Sequence, residues 1–335
     1  MKKIKIMAVA AIVCAACLTG CGRRAVPEPV SRSSFLLNTF VTVTLYDTDD
    51  QEILDGCFDL CAEYENLLSR TKETSEIYRL NHRAEGERSL QVSEKTAQVI
   101  AKGLEYSRLS DGAFDITIEP LSSLWDFTAE NPQVPPEEAI REARERVNYR
   151  NVSVEGNVVT FADDVTTIDL GAIAKGFIAD EIKAYLIEEG VGSAIINLGG
   201  NVLCVGARPD ETPFRIGIQR PFAERNEVAG ALDIEDMSVV SSGVYERHFI
   251  QDGVNYHHLL NPRTGYPYEN GLVQVTIISR DSVDGDGLST TCFALGIEEG
   301  SELLESLEDT YGIFMTEDGE TYYTEGAEQF LAPNE

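Results

Sequence analysis

The chain is short of histidine, with four among 335 residues, and it has one tryptophan. Basic residues are also scarce. Lys and Arg number 27 against 57 Asp and Glu, giving a formal net charge of −30. That imbalance excludes a broad basic surface for nucleic acid or anionic lipid. It also means that a phosphate-bearing substrate needs a metal ion or a cluster of amides to offset repulsion. The seven cysteines do not form a dense framework, so the fold must rest on a hydrophobic core. No repeat with a period of tens of residues is evident, and no apolar run after residue 20 is long enough to span a bilayer.

What is present begins with an address. "MKKIKIMAVAAIVCAACLTGC" places Lys2, Lys3 and Lys5 before an apolar run from Ile6 to Leu18. The run is too short for a transmembrane helix and has the layout of a secretory signal, residues 1–20. Leu18-Thr19-Gly20-Cys21 resembles a bacterial lipobox, with cleavage before Cys21 and lipid such as palmitate on the new terminus. The expected location is extracytoplasmic, with lipid anchoring to the bacterial membrane. Residues 21–34, with two prolines, read as a flexible tether, and residues 35–332 as one domain. Loss of the leader removes three lysines and takes the charge to −33.

Within the domain, strand and helix patterns are interspersed and hairpin signals recur, which predicts an α+β fold with mixed, largely antiparallel sheets. Residues 35–46 alternate and read as one strand. Residues 50–68 carry Ile53, Leu54, Cys57, Phe58, Cys61, Tyr64 and Leu68 at helical spacing, so Cys57 and Cys61 read as small core residues. Asp252-Gly253 marks a hairpin turn.

Four segments carry candidate chemistry. "DLGAIAKG", residues 169–176, reads as a strand entering a glycine turn and then a helix, whose free amides suit phosphate oxygens. Lys175 adds a positive charge there. The glycine spacing is not that of a P-loop, and a plain strand-to-helix turn fits as well. "VDGDGLSTTC", residues 283–292, reads as a loop entering a helix. Asp286 and Thr290 are four apart and face one direction, a hard-oxygen pair suited to magnesium. A capped helix with an incidental threonine is the alternative. "DGAFDITIEPLSSLWDF", residues 111–127, reads as a loop whose aromatic rings and carboxylates suit a planar heterocycle, or as a loop folded on its own core. Finally, "YHHLLNPRTGYP" puts His257 and His258 ahead of Pro262 and Pro267. The pattern reads either as a strand ending in a turn or as an imidazole aimed by a rigid loop.

These segments occur together with "LSRTKETSEIYRLN", "NLGGNVLCVG" and "SSGVYERHF", and their set and order resemble the ApbE family, the FAD:protein FMN transferases. The resemblance runs from about Asn38 to Gly296 and implies a flavin transferase fold with FAD bound between two lobes. It implies Mg2+-dependent transfer of FMN from FAD to a Ser or Thr hydroxyl of an acceptor protein, releasing AMP. It implies further that Asp286, Thr290 and the main-chain carbonyl of Ala172 hold Mg2+. Leu37, Ala113, Phe114, Asp115, Asp169, Lys175, Ser242, Gly243 and Leu260 would contact FAD. His258 would be the base, with its neighbour His257 as the alternative. The acceptor would be a membrane or extracytoplasmic redox subunit with a short flavinylation motif. Leu37, Thr71, Ser241 and Asn261 depart from the family's usual methionine, aromatic, threonine and aspartate, which points to altered FAD affinity rather than lost activity. Two other readings share these residues: an FAD pyrophosphatase giving FMN and AMP, and a lipid-anchored FAD-binding protein without catalysis.

Overall fold

A computed structural model describes residues 28–224 and 227–333. The leader and the lipidation candidate Cys21 lie outside them. The chain starts with β1 (Val30–Leu36) and β2 (Thr39–Leu45), an antiparallel pair. The single strand expected over residues 35–46 is therefore a hairpin, turning at Leu37 and Asn38 with φ of 54° and 57°. Two left-handed residues in a row give the turn whose twist suits a hairpin. Because neither is glycine, the sequence signal is weak. β1 also takes up Val30–Ser34, which the sequence assigned to the tether.

Helix α1 (Gln51–Leu68) is capped by the Asp50 side chain, which accepts from the Glu52 amide, and it buries Cys57, Cys61 and Tyr64 on its inner face. Short α2 (Glu76–Asn81) and β3 (Ser89–Gln91) lead to α3 (Glu94–Leu109), capped by Ser93. The segment read as a loop over residues 111–127 contains α4 (Glu119–Trp125), and α5 (Glu137–Arg144) follows. β4 (Val152–Glu155) and β5 (Val158–Phe161) form a hairpin, which β3 joins. Residues 167–170 join no sheet. The Asp169 amide instead donates to the Ile116 carbonyl at 2.7 Å. Then come α6 (Ala174–Glu188), β6 (Ala194–Leu198), β7 (Asn201–Val205), β8 (Phe214–Gln219), β9 (Val228–Ile234) and β10 (Ser238–Gly243). β11 (His248–Gln251) and β12 (Val254–His257) turn at Asp252-Gly253 as expected. β13 (Leu272–Ser279), α7 (Ser282–Glu305), β14 (Thr310–Thr316) and β15 (Thr321–Tyr323) complete the main body.

The central sheet has eight strands in the order β1-β2-β6-β7-β10-β13-β14-β15, each neighbour antiparallel. Helices α1, α6 and α7 pack on one face and the β8–β9 hairpin on the other. Strand alternation sorts the two cores: Leu203 and Val205 face the helices, while Cys204 between them joins Phe214 and Leu232. β13 is buried along all its residues because both of its faces are covered. A third, smaller core surrounds Trp125 with Leu121, Ile140, Ala143 and Leu260.

α7 starts at Ser282, so the segment carrying Asp284 and Asp286 is helical rather than a loop. Its glycines serve close packing. A Cβ on Gly285 would meet the Val240 side chain at 2.7 Å, and one on Gly287 the Tyr106 ring at 2.5 Å. The helix breaks at Gly296, whose φ is 83°.

Candidate active site

The site is built where the start of α6 meets the first turns of α7. Gly176 permits this contact, since a Cβ there would lie 2.3 Å from the Ser282 carbonyl oxygen and 2.7 Å from the Val283 Cα. Both are backbone atoms and cannot swing aside. The Gly176 amide consequently donates to Asp286 Oδ2 at 2.9 Å, and the Lys175 ammonium lies 3.1 Å from Oδ1. Asp286 is buried at 4% exposure, so both oxygens depend on protein donors. Gly176→Ala should separate the two helices and cost about 1–3 kcal/mol of stability, read as a lower midpoint in denaturant unfolding.

One helical turn after Asp286, the Thr290 hydroxyl lies 3.3 Å from that of Ser242 at the end of β10, and Ser242 also meets Ser289 at 2.9 Å. Asp284 does not take part. It accepts from the Tyr106 hydroxyl at 2.5 Å and pairs with Lys102 at 2.9 Å. No group of three or more His, Cys, Asp or Glu suited to a metal exists among the described residues. A carboxylate, a hydroxyl and the carbonyl of Ala172 in the turn before α6 are hard oxygens without thiolate or imidazole, a donor set that fits Mg2+ completing its shell with water and phosphate.

After β10 the chain turns through Gly243, where a Cβ would lie 2.5 Å from the Tyr245 ring, and enters β11. The β11–β12 register pairs His248 with His257, and the His258 amide donates to the Arg247 carbonyl at 3.1 Å. The charges of Lys175, Arg247 and Asp286 bear on Glu246, and those of Lys175 and Arg247 on the His258 ring. Glu246 is open to solvent although protein atoms crowd it, and that crowding moves its carboxyl above the usual range against the pull of Lys175 and Arg247.

The two histidines differ in surroundings. His257 is buried at 5% exposure. Its Nε2 lies 3.1 Å from the Tyr268 carbonyl, and its ring packs edge-on against Phe293. Burial pushes it down to about 4, with the Tyr268 bond opposing. His258 is less shielded by area, yet its Nδ1, like that of His257, is buried without a partner. Burial first, then the charges of Arg247, His257 and Lys175, push it down to about 3. At neutral pH both rings are uncharged. The loop that follows is held firmly: Leu260 bridges Pro267, the Asn261 amide donates to Tyr266, and the Trp125 indole donates to the Gly265 carbonyl at 2.9 Å.

Other expected contacts lie elsewhere or are already engaged. Phe114 is buried edge-on to Tyr106, and Asp115 accepts from the Thr117 amide and hydroxyl and from the Tyr149 amide. Both side chains thus serve the core, and neither offers a free ring or carboxylate. Trp125, at 1% exposure, stacks with Phe127 inside the third core, so it presents no surface to a heterocycle. The Ala113 carbonyl accepts from the Tyr268 hydroxyl at 2.8 Å, and Ala113 lines a cavity of about 630 Å³ with Arg263 and Leu295. Asp169 pairs with Arg70 at 3.1 Å and accepts from Ser122 at 2.8 Å. The Leu37 amide donates to Glu65 at 2.9 Å, and Leu260 belongs to the third core.

Sequence reading passed over Glu246 and Arg247. The signal was available: a hairpin turning at Asp252-Gly253 places Arg247 opposite His258 by counting outwards.

The ApbE family pattern matches residues 37–315. The chain belongs to the ApbE family. It is 38% identical over 288 residues to an FAD:protein FMN transferase of Klebsiella pneumoniae, covering 85% of this chain and 89% of that one. The corresponding protein of Treponema pallidum is 32% identical, with 92% and 90% covered. Among solved structures, the flavin transferase ApbE of Vibrio cholerae aligns with a TM-score of 0.82 at 27% identity, covering 91% of this chain and 99% of that one. The ApbE protein of Thermotoga maritima aligns at 0.83 and 29%, covering 91% and 100%. The antiparallel α+β architecture expected from the sequence is the architecture of these relatives.

Proposed function

We propose that this ApbE-family enzyme transfers the FMN half of FAD to a Ser or Thr hydroxyl of an acceptor protein and releases AMP. The observation that carries this reading is the Lys175–Asp286 contact, one helical turn before Thr290, in a chain whose residues 37–315 match the ApbE family. Asp286, Thr290 and the Ala172 carbonyl would hold Mg2+. When bound, the ion would offset the diphosphate charge that a chain of −30 otherwise repels. Lys175 binds and orients phosphate oxygens. The acceptor hydroxyl is a weak nucleophile at neutral pH. Burial and then the Arg247 and Lys175 charges lower the basicity of His258, which accepts the proton once the diphosphate offsets those charges. The pinned loop from Leu260 to Pro267 keeps that imidazole aimed. Glu246, next to Arg247, is a second candidate proton acceptor, and its raised carboxyl pKa supports testing it in parallel.

The acceptor reading extends to location. Cys21 as a lipidated terminus would hold the domain outside the cytoplasm, and the nine residues from Cys21 to Val30 reach at most about 30 Å. A redox subunit at the same membrane is then the fitting acceptor. Among the described residues, no helix is long and apolar enough to cross a membrane.

Incubation of the protein with FAD, Mg2+ and a candidate acceptor, followed by intact-mass spectrometry, tests the reading. A covalent FMN adduct on the acceptor is the expected result. Release of FMN and AMP without an adduct on any acceptor would make the protein a pyrophosphatase, and quantitative recovery of FAD would make it a binding protein.

A further inference from the structure

Lys175 occupies the oxygen that a metal ion would need. Asp286 has two carboxylate oxygens. The Gly176 amide takes Oδ2 at 2.9 Å, and the Lys175 ammonium takes Oδ1 at 3.1 Å. The arrangement is imposed by packing, because the glycine contact between α6 and α7 sets where residue 175 emerges. The Lys175 side chain is 28% exposed and that of Asp286 6%, so the pair is shielded and little weakened by solvent.

We infer that Lys175 and the divalent cation compete for Oδ1 of Asp286, so that the cation enters with the dinucleotide and not before it. The inference rests on the metal reading given above. Its physical basis is charge balance within the site. Asp286 and Lys175 cancel. A divalent cation arriving alone meets an ammonium already on its ligand, and like charges at such distances repel strongly in a shielded site. A diphosphate arriving alone adds two negative charges next to the Asp286 carboxylate. When both arrive, the cation takes the carboxylate, and Lys175 is released to phosphate oxygens. Only this combination leaves the site near neutral throughout. Lys175 thus acts first as a stand-in on Asp286 and then as a phosphate ligand.

The test is Mn2+ binding, followed by electron paramagnetic resonance of the free ion, with the full-length protein and with Lys175→Met and Lys175→Arg. Circular dichroism melting checks that each variant is folded. For the unaltered protein, weak Mn2+ binding without FAD and tight binding with FAD is expected. Lys175→Met should tighten Mn2+ binding in the absence of FAD by about tenfold or more and should weaken FAD binding. Lys175→Arg keeps the positive charge and should stay weak for Mn2+ alone, which a purely structural role of the lysine would not produce. Tight Mn2+ binding by the unaltered protein without FAD, unchanged in Lys175→Met, overturns the competition while leaving the metal site intact. No Mn2+ binding by any form, with or without FAD, removes the metal reading itself and the competition with it.

Discussion

Asp286→Asn should lower FMN transfer by about 10²–10³-fold, the scale on which removing one electrostatic stabiliser acts in an enclosed site. The substitution keeps the volume and lets an amide oxygen accept from Gly176, so folding should lose less than in Asp286→Ala although the amide NH2 then faces the Lys175 ammonium. It removes the negative charge that Lys175 engages and that a cation would need. Asp286→Ala is the contrasting variant. It leaves the Gly176 amide buried without an acceptor, at a cost of about 1–3 kcal/mol, and should lower both activity and the melting temperature. Steady-state transfer assays and thermal melts on the two variants separate the charge from the packing. If Asp286→Asn transferred FMN at the unaltered rate, Asp286 could not be the centre of the site.

The second large effect concerns the paired histidines, which should respond differently. His258→Ala should reduce transfer by about 10²–10⁴-fold, the usual contribution of a positioned base, while FAD binding persists. His257→Ala should act mainly on stability, because that ring fills space against Phe293 and its Nε2 meets the Tyr268 carbonyl. Melting curves and transfer rates, measured on both variants and on Glu246→Gln, assign the base. Full activity in His258→Ala with a collapse in Glu246→Gln would move that role to the carboxylate.

The same two rings shape stability in acid. Each has a folded-state pKa below the ordinary value of 6.5: about 4 for His257 and about 3 for His258. The unfolded chain therefore binds more protons between those values and pH 6.5. Their favourable contribution is complete above pH 6.5 and declines as pH falls, by about 2 kcal/mol for each ring at pH 5. Asp180 works in the other direction, since burial raises its carboxyl to about 7. Comparison of the unaltered protein with His258→Gln isolates the imidazole: the variant should lose less stability between pH 7 and pH 5.

Much of the site was legible because its signals are local. Asp286 and Thr290 are one helical turn apart whether the preceding residues are loop or helix, so the wrong expectation for residues 283–287 did not disturb the pairing. The glycines were misread because glycine in sequence signals both turn and close approach. Only the Val240 and Tyr106 contacts decide for the second. Residues 111–127 left two readings open, a binding loop and a loop folded on its own core, and the burial of Trp125 and Phe114 with the Asp115 contacts to backbone amides fits the second.

From its order of residues alone, this chain determined its α+β class, its hairpin at Asp252-Gly253, the helical spacing of its acid and hydroxyl, and the charge deficit that any phosphate chemistry here must overcome. Those follow from interactions within a turn of helix or across a tight turn. Packing alone decided that Lys175 reaches Asp286, 111 positions further along, and that the His257 ring is held against Phe293 and the Tyr268 carbonyl. Such contacts depend on which helix faces press together, and that is set by the Gly176 gap and the buried sheet as a whole.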